Sequence, residues 1–160
     1  MKLDSFDLRI LELLQENART PNVELSKRVH LSAPQCYRRI QKLEKEGVIR
    51  GYTALIDRAK LGFDVMAFVR IAIDRAQYRR LRELEKVLSK FPEILECQAV
   101  TGEEGYQLKV IVPNLKSYAA FLEEKLMRAP GVVSVKSVMC LDEVKVTTFL
   151  PLNGSNQQKP

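Results

Sequence analysis

The hydrophobic period first changes at Gly47, and that change fixes the kind of fold available. Before it, apolar side chains recur every three or four residues, as on one face of a helix; after it, runs rich in β-branched residues alternate with two further helical stretches. A chain patterned this way is α+β, with a helical unit ahead of a mixed one.

In the leading unit Phe6, Ile10, Leu13 and Leu14 predict one helix face, with Asp4 as its cap. Leu25 and Val29 supply the buried positions of a second helix, capped either by Thr20, with Pro21 at the first helical position, or by Asn22. A third helix is expected from about Ala33 to Glu46. Ser32 and Gln35 have the spacing of a capping box, Cys36, Ile40 and Leu43 form a buried seam, and Gly47 allows a Schellman-type stop with Val48 folded onto Leu43. Between the last two helices the turn His30-Leu31-Ser32 is tight enough to want a residue at positive φ, which histidine tolerates.

Two short helices joined by such a turn read as a helix-turn-helix, and the third helix carries side chains suited to DNA. Gln35, Arg38, Arg39 and Lys42 repeat at i, i+3, i+4 and i+7 on a stripe clear of the seam. Gln35, Arg38 and Arg39 are candidates for base edges or nearby phosphates, Lys42 and Arg50 for phosphates, and Ser32 for both cap and phosphate. The bland alternative is a helical hairpin with a solvated basic face. Charge distribution favours the DNA reading: the chain is +6 overall, and seven basic residues face two acidic ones between Lys27 and Arg50. Double-stranded DNA is the expected partner.

Other functions find little to hold. With one histidine and no nucleophile elbow, Walker loop or Cys/His metal spacing, no enzyme and no metal site are expected. Cys36, Cys97 and Cys140 sit among apolar neighbours and suit reduced core thiols, a redox sensor being the alternative. No apolar run reaches the roughly 20 residues of a membrane span, and MKLDSFDLR lacks the apolar centre of a signal peptide, so a cytoplasmic protein without membrane association is expected.

Beyond Gly47, Val48 to Ile56 looks extended and passes into a hinge around Asp57 to Gly62. Strand patterns follow at 63–73, 94–101, 106–112 and 132–139, with helices at about 77–90 and 115–127 and one more strand at 144–150. Gly102-Glu103-Glu104-Gly105 joins the second and third strands. The order β-α-β-β-α-β, plus one strand, is the ferredoxin-like arrangement, an antiparallel sheet with both helices on one face. The boundaries are therefore a helix-turn-helix domain at 1–51, a strand linker and hinge at 52–62, a ferredoxin-like domain at 63–152 and a flexible tail at 153–160. A second basic cluster, Arg75, Arg79, Arg80, Arg82 and Lys86, reads as solvated helix surface.

At the loop, backbone N–H groups near Gly102 and Gly105 suit a carboxylate, and Glu103 or Glu104 an ammonium, so an amino acid fits. A ligand-free hairpin turn is the simpler alternative. A nucleotide-clamping GxxG loop is disfavoured by two central glutamates.

The segments LDSFDLRILELLQENAR, NVELSKRV, LSAPQCYRRIQKLEKEGVIRGYTALID, FPEILECQAVTGEEGYQLKVIVP and APGVVSV, in this order over residues 3–152, resemble the Lrp/AsnC family of feast/famine transcription regulators. The resemblance implies a (winged) helix-turn-helix linked by a strand to a ferredoxin-like domain that oligomerises. It implies homodimers, often octamers built as tetramers of dimers, with a free amino acid as effector and no other cofactor. The effector would bind between dimers near Thr101, Gly102, Glu103, Glu104, Gly105 and Tyr106. The chain departs from the family in having His30 where glycine is usual, and Gly-Glu-Glu-Gly where many members have Gly-Asp-Tyr-Asp. A regulator gated by an amino acid is the reading that results; a ligand-blind oligomeric regulator or architectural DNA-binding protein is the alternative.

Overall fold

The computed structural model describes residues 2–74, 81–102 and 105–152, which fall into two compact units, one of Met1–Leu55 with the segment from Lys145 onward, the other of Ile56–Val144. Arg75, Arg79, Arg80, residues 77–80 of the helix expected at about 77–90, Glu103, Glu104 and the tail from 153 lie outside the described residues.

The first unit contains α1 (Ser5–Glu16), α2 (Asn22–Arg28) and α3 (Ala33–Lys45). Asp4 caps α1 through a complete capping box with Asp7, so the chain commits to helix at the residue where the pattern begins. Ile10, Leu13, Leu25, Val29, Cys36, Ile40 and Leu43 close one core, each large side chain worth about 1.5–3 kcal/mol of burial. Phe6, expected in that core, is 40% exposed. Its ring lies instead under the Arg39 guanidinium, 5.3 Å from carbon to centroid.

Neither proposed side chain caps α2. Pro21 occupies the cap position without a side-chain bond, and the Thr20 hydroxyl is spent on the carbonyl of Asn17. The turn into α3 does place His30 at φ 55. At the far end of α3, Gly47 adopts φ 71, its N–H donates to Glu44, and the Val48 N–H donates to Leu43, the two bonds of a Schellman motif. The apolar contact that seals it comes from Ile49 and not from Val48, which stays exposed.

The second unit holds β1 (Val65–Ile73), α4 (Leu81–Leu88), β2 (Ile94–Ala99), β3 (Tyr106–Val112), α5 (Leu115–Ala120) continuing as a π-helix over Phe121–Leu126, and β4 (Val132–Met139). The sheet order is β2-β3-β1-β4, with each neighbouring pair antiparallel. Alternation sorts the faces. Ala67, Val69 and Ile71 of β1 and Leu108, Val110 and Val112 of β3 meet Leu84 and Leu88 of α4 and Tyr118, Phe121 and Leu126 from the other helix, so both helices cover one face. The opposite face keeps apolar groups in the open: Phe68 and its cross-strand partner Val138 are 39% and 65% exposed.

Two expected strands are absent among the described residues. The linker over 48–56 forms no ladder, and the regular part of the hinge is a 3-10 turn at Ala59–Leu61. The segment 144–150 likewise joins no sheet. Apolar, β-branched residues make a strand only when a neighbour completes the ladder, and here the backbone of Leu150 finds the side chain of Gln15. Its N–H donates to Gln15 Oε1 at 2.7 Å, and Gln15 Nε2 donates to its carbonyl at 3.2 Å. The segment from Lys145 onward, expected with the ferredoxin-like domain, groups with the helical unit by its contacts. Of the cysteines only Cys36 is a core thiol; Cys97 is exposed on the edge strand β2, and Cys140 donates from Sγ to the Asp142 carbonyl.

Candidate functional site

Helix α3 begins as its sequence dictates. The Ser32 hydroxyl accepts the Gln35 N–H at 3.4 Å, while Gln35 Oε1 accepts the Ser32 N–H at 3.1 Å and the Ser32 hydroxyl at 2.9 Å. Gln35 Oε1 is thereby engaged in holding the first turn. With Cys36, Ile40 and Leu43 facing inward, the line opposite them runs through Pro34, Arg38, Gln41 and Lys45, all exposed, with Tyr37 and Lys42 beside it. The sequence-derived stripe of Gln35, Arg38, Arg39 and Lys42 is thus centred one flank away from the outermost line. Arg38 and Lys42 remain open to solvent, as do Ser32 and Arg50.

Arg39 is placed differently. Its Nη1 donates to Asp4 Oδ2 at 2.8 Å and to Asp7 Oδ1 at 2.7 Å. The Asp7 side chain is only 7% exposed, so this pair is largely withdrawn from water and depends on the arginine for its charge balance. The two carboxylates push the Arg39 pKa further up, while the Asp7 backbone N–H, together with Arg39, holds the Asp4 carboxyl below its ordinary value. Arg39 therefore ties α3 to the first turn of α1, so the side chain expected at base edges or nearby phosphates is already paired within the unit. Around this tie an open groove of about 410 Å³ is lined by Lys2, Asp4, Asp7, Leu31, Gln35, Arg38, Arg39 and Lys42. At the other end of the unit the Tyr52 hydroxyl donates to Glu44 at 2.9 Å, and burial, reinforced by that carboxylate, pushes its pKa up to about 12.

Tyr37 and Gln41 were not singled out by the sequence, which shows them as neutral residues among charges. They pair across one helical turn, Gln41 Nε2 donating to the Tyr37 hydroxyl at 2.8 Å, and Tyr37 is 49% exposed. The i, i+4 spacing was the available signal.

The loop between β2 and β3 offers fewer groups than expected. Thr101 and Gly102 are exposed, and Gly102 takes φ 110. Gly105, however, gives its N–H to the Ile71 carbonyl at 2.9 Å, so that donor is not free for a ligand. The same residue explains itself sterically, since a Cβ there would lie 2.7 Å from Ile73 Cγ1. Tyr106 is buried on the helix-facing side, where its hydroxyl donates to Glu85 at 2.7 Å. Thr101 and Gly102 are thus brought together at the surface, whereas Gly105 and Tyr106 anchor the strand behind them. No group of metal-ligating side chains gathers anywhere among the described residues. Nor is any helix among them long and apolar enough to cross a membrane.

Comparison with known proteins agrees with both units. Residues 3–50 match the model of a winged helix-turn-helix DNA-binding domain, and residues 66–150 match that of the Lrp/AsnC ligand binding domain. The leucine-responsive regulatory proteins of Escherichia coli K12 and Klebsiella pneumoniae are each 40% identical over 148 residues, 92% of this chain and 90% of theirs. Among solved structures, a transcriptional regulator of Neisseria meningitidis in complex with L-Met superposes with a TM-score of 0.89 at 39% identity, covering 95% of this chain and 98% of that one. An AsnC family regulator of Agrobacterium tumefaciens gives 0.88 at 36% identity, covering 94% and 98%. The trihelical unit and the sheet with its two helices each match a domain model of this kind, and the chain belongs to the Lrp/AsnC family of transcription regulators.

Proposed function

We propose that this regulator acts in the cytoplasm as a homodimer that assembles further into an octamer, a tetramer of dimers, and that a free amino acid alters its DNA binding or its assembly. The observation that carries the reading is the pairing in one chain of an exposed basic helix with a sheet whose helix-free face leaves apolar side chains uncovered among charged ones such as Arg70 and Lys109. Phe68 and Val138 are exposed on that face, and Leu141 and Val144 just beyond it are 98% and 95% exposed. Exposed apolar groups gathered on one face mark a surface that a partner covers, and a second copy brings the same surface.

Each dimer then presents two α3 helices to successive major grooves. Arg38 meets base edges, while Ser32, Lys42 and Arg50 meet phosphates, contacts that position without specifying. Gln35 shapes the first turn of α3 and approaches DNA only at its flank. Arg39 contributes through the Asp4 and Asp7 tie.

The effector reading rests on the ligand binding domain match and on the L-Met complex of the Neisseria regulator. Thr101 and Gly102 would receive the amino acid together with Glu103 and Glu104. Calorimetry with each of the twenty amino acids, paired with light scattering, tests this: binding of at least one, with a change in mass, is expected. The ligand-blind reading is favoured by the closure of Gly105 onto Ile71, and absence of binding by all twenty would establish it.

A further inference from the structure

We infer that Tyr37 and Gln41 form a pre-set pair that reads one adenine in each half-site, with Gln41 as the reading residue and Tyr37 as the residue that positions it. The inference rests on α3 being the DNA-reading helix.

Gln41 lies on the line of α3 opposite the buried Cys36, Ile40 and Leu43, one turn beyond Arg38, where a helix lying in the major groove meets base edges. A free glutamine there would lose side-chain freedom on binding. The bond from Gln41 Nε2 to the Tyr37 hydroxyl at 2.8 Å restrains it beforehand. Only one of the two amide hydrogens is consumed. The second hydrogen and Oε1 remain, one donor and one acceptor side by side, which is the complement of adenine N7 and N6 in the major groove. Guanine presents two acceptors in the same place and leaves Oε1 facing O6. The Tyr37 hydroxyl, having accepted from Gln41, keeps its own hydrogen for a phosphate oxygen.

The other polar groups along α3 are less suited to this task. Gln35 Oε1 is held by Ser32, and Arg39 Nη1 is held by Asp4 and Asp7. Arg38 is open but matches guanine, so the two residues read different bases.

The experiment is selection of binding sites from a random duplex library by the full chain, as wild type, Gln41→Ala, Tyr37→Phe and the double variant, with salt dependence measured on the winning site. Alanine at an exposed helical position keeps the fold, which circular dichroism verifies. The wild type is expected to select a site with an adenine fixed in each half. Gln41→Ala should relax that base alone, by about 5- to 150-fold in relative affinity, with the salt slope unchanged. Tyr37→Phe should weaken preference for the same base and have no further effect on it in the Gln41→Ala background. If Gln41→Ala selects the wild-type site unaltered, or loses preference at every position together, the inference is overturned. Failure of the wild type to select any sequence would overturn the DNA-reading assignment itself.

Discussion

Removing the Arg39 side chain leaves Asp7, whose carboxylate is 7% exposed, without its cation and strips Phe6 of its cover. Because Arg39 and Asp4 are partly solvated, solvent screening keeps the cost below that of a buried pair, and Arg39→Ala should destabilise the chain by about 1–3 kcal/mol in denaturant unfolding. Arg38→Ala should leave stability within about 0.5 kcal/mol while weakening specific DNA binding by about 1–3 kcal/mol, read in a gel-shift series. Equal effects of both variants on stability would contradict the division of roles. The same tie has a pH signature. The Asp4 carboxyl is held below its ordinary 3.8, first by the Asp7 backbone N–H and then by Arg39, so the charged form is favoured in the folded state. Its contribution is present above the unfolded value and is lost as the pH falls through the lowered one. Asp4→Asn should therefore flatten the acid limb of a stability curve below about pH 4 relative to wild type. The partners of Arg39 were not legible in the sequence: periodicity finds which residues share a stripe but not which partner the fold brings to them, and Asp4 lies 35 positions away.

Elements with local determinants were legible from the sequence. The Ser32 and Gln35 box, His30 at positive φ and the Gly47 stop all sit within a few residues of the groups they satisfy, and α3 forms at Ala33–Lys45 as its signals require. What depended on distant partners was not legible. Strand propensity at 144–150 found no ladder among the described residues, and the backbone of Leu150 meets Gln15, 135 positions earlier. Gly105 read as a loop glycine whose N–H suited a carboxylate, yet Ile71 fixes its N–H and Ile73 occupies the space where a side chain would go. Gly105→Ala should cost about 1–3 kcal/mol in thermal unfolding, the usual cost of overpacking, because the Ile73 side chain must shift. If the melting temperature is unchanged, Ile73 yields freely and that close approach has no energetic weight.

At the scale of the molecule, a reader and a ligand binding domain are joined in a single chain, and coupling between them is a difference in DNA affinity between ligand states. The exposed apolar groups of the helix-free sheet face supply a prediction at this scale: Val138→Lys, which places a charge on an exposed position of β4, should leave the fold intact and reduce the mass measured by light scattering. Retention of the wild-type mass would place the interface elsewhere. The central claim, that an amino acid bound by one domain changes what the other does on DNA, is tested most directly by fluorescence anisotropy of the full chain on its selected duplex, titrated with and without each amino acid. A shift of about 5- to 150-fold in affinity with at least one of them is expected, the range of ordinary allosteric coupling. Superposable titrations with all twenty would contradict it.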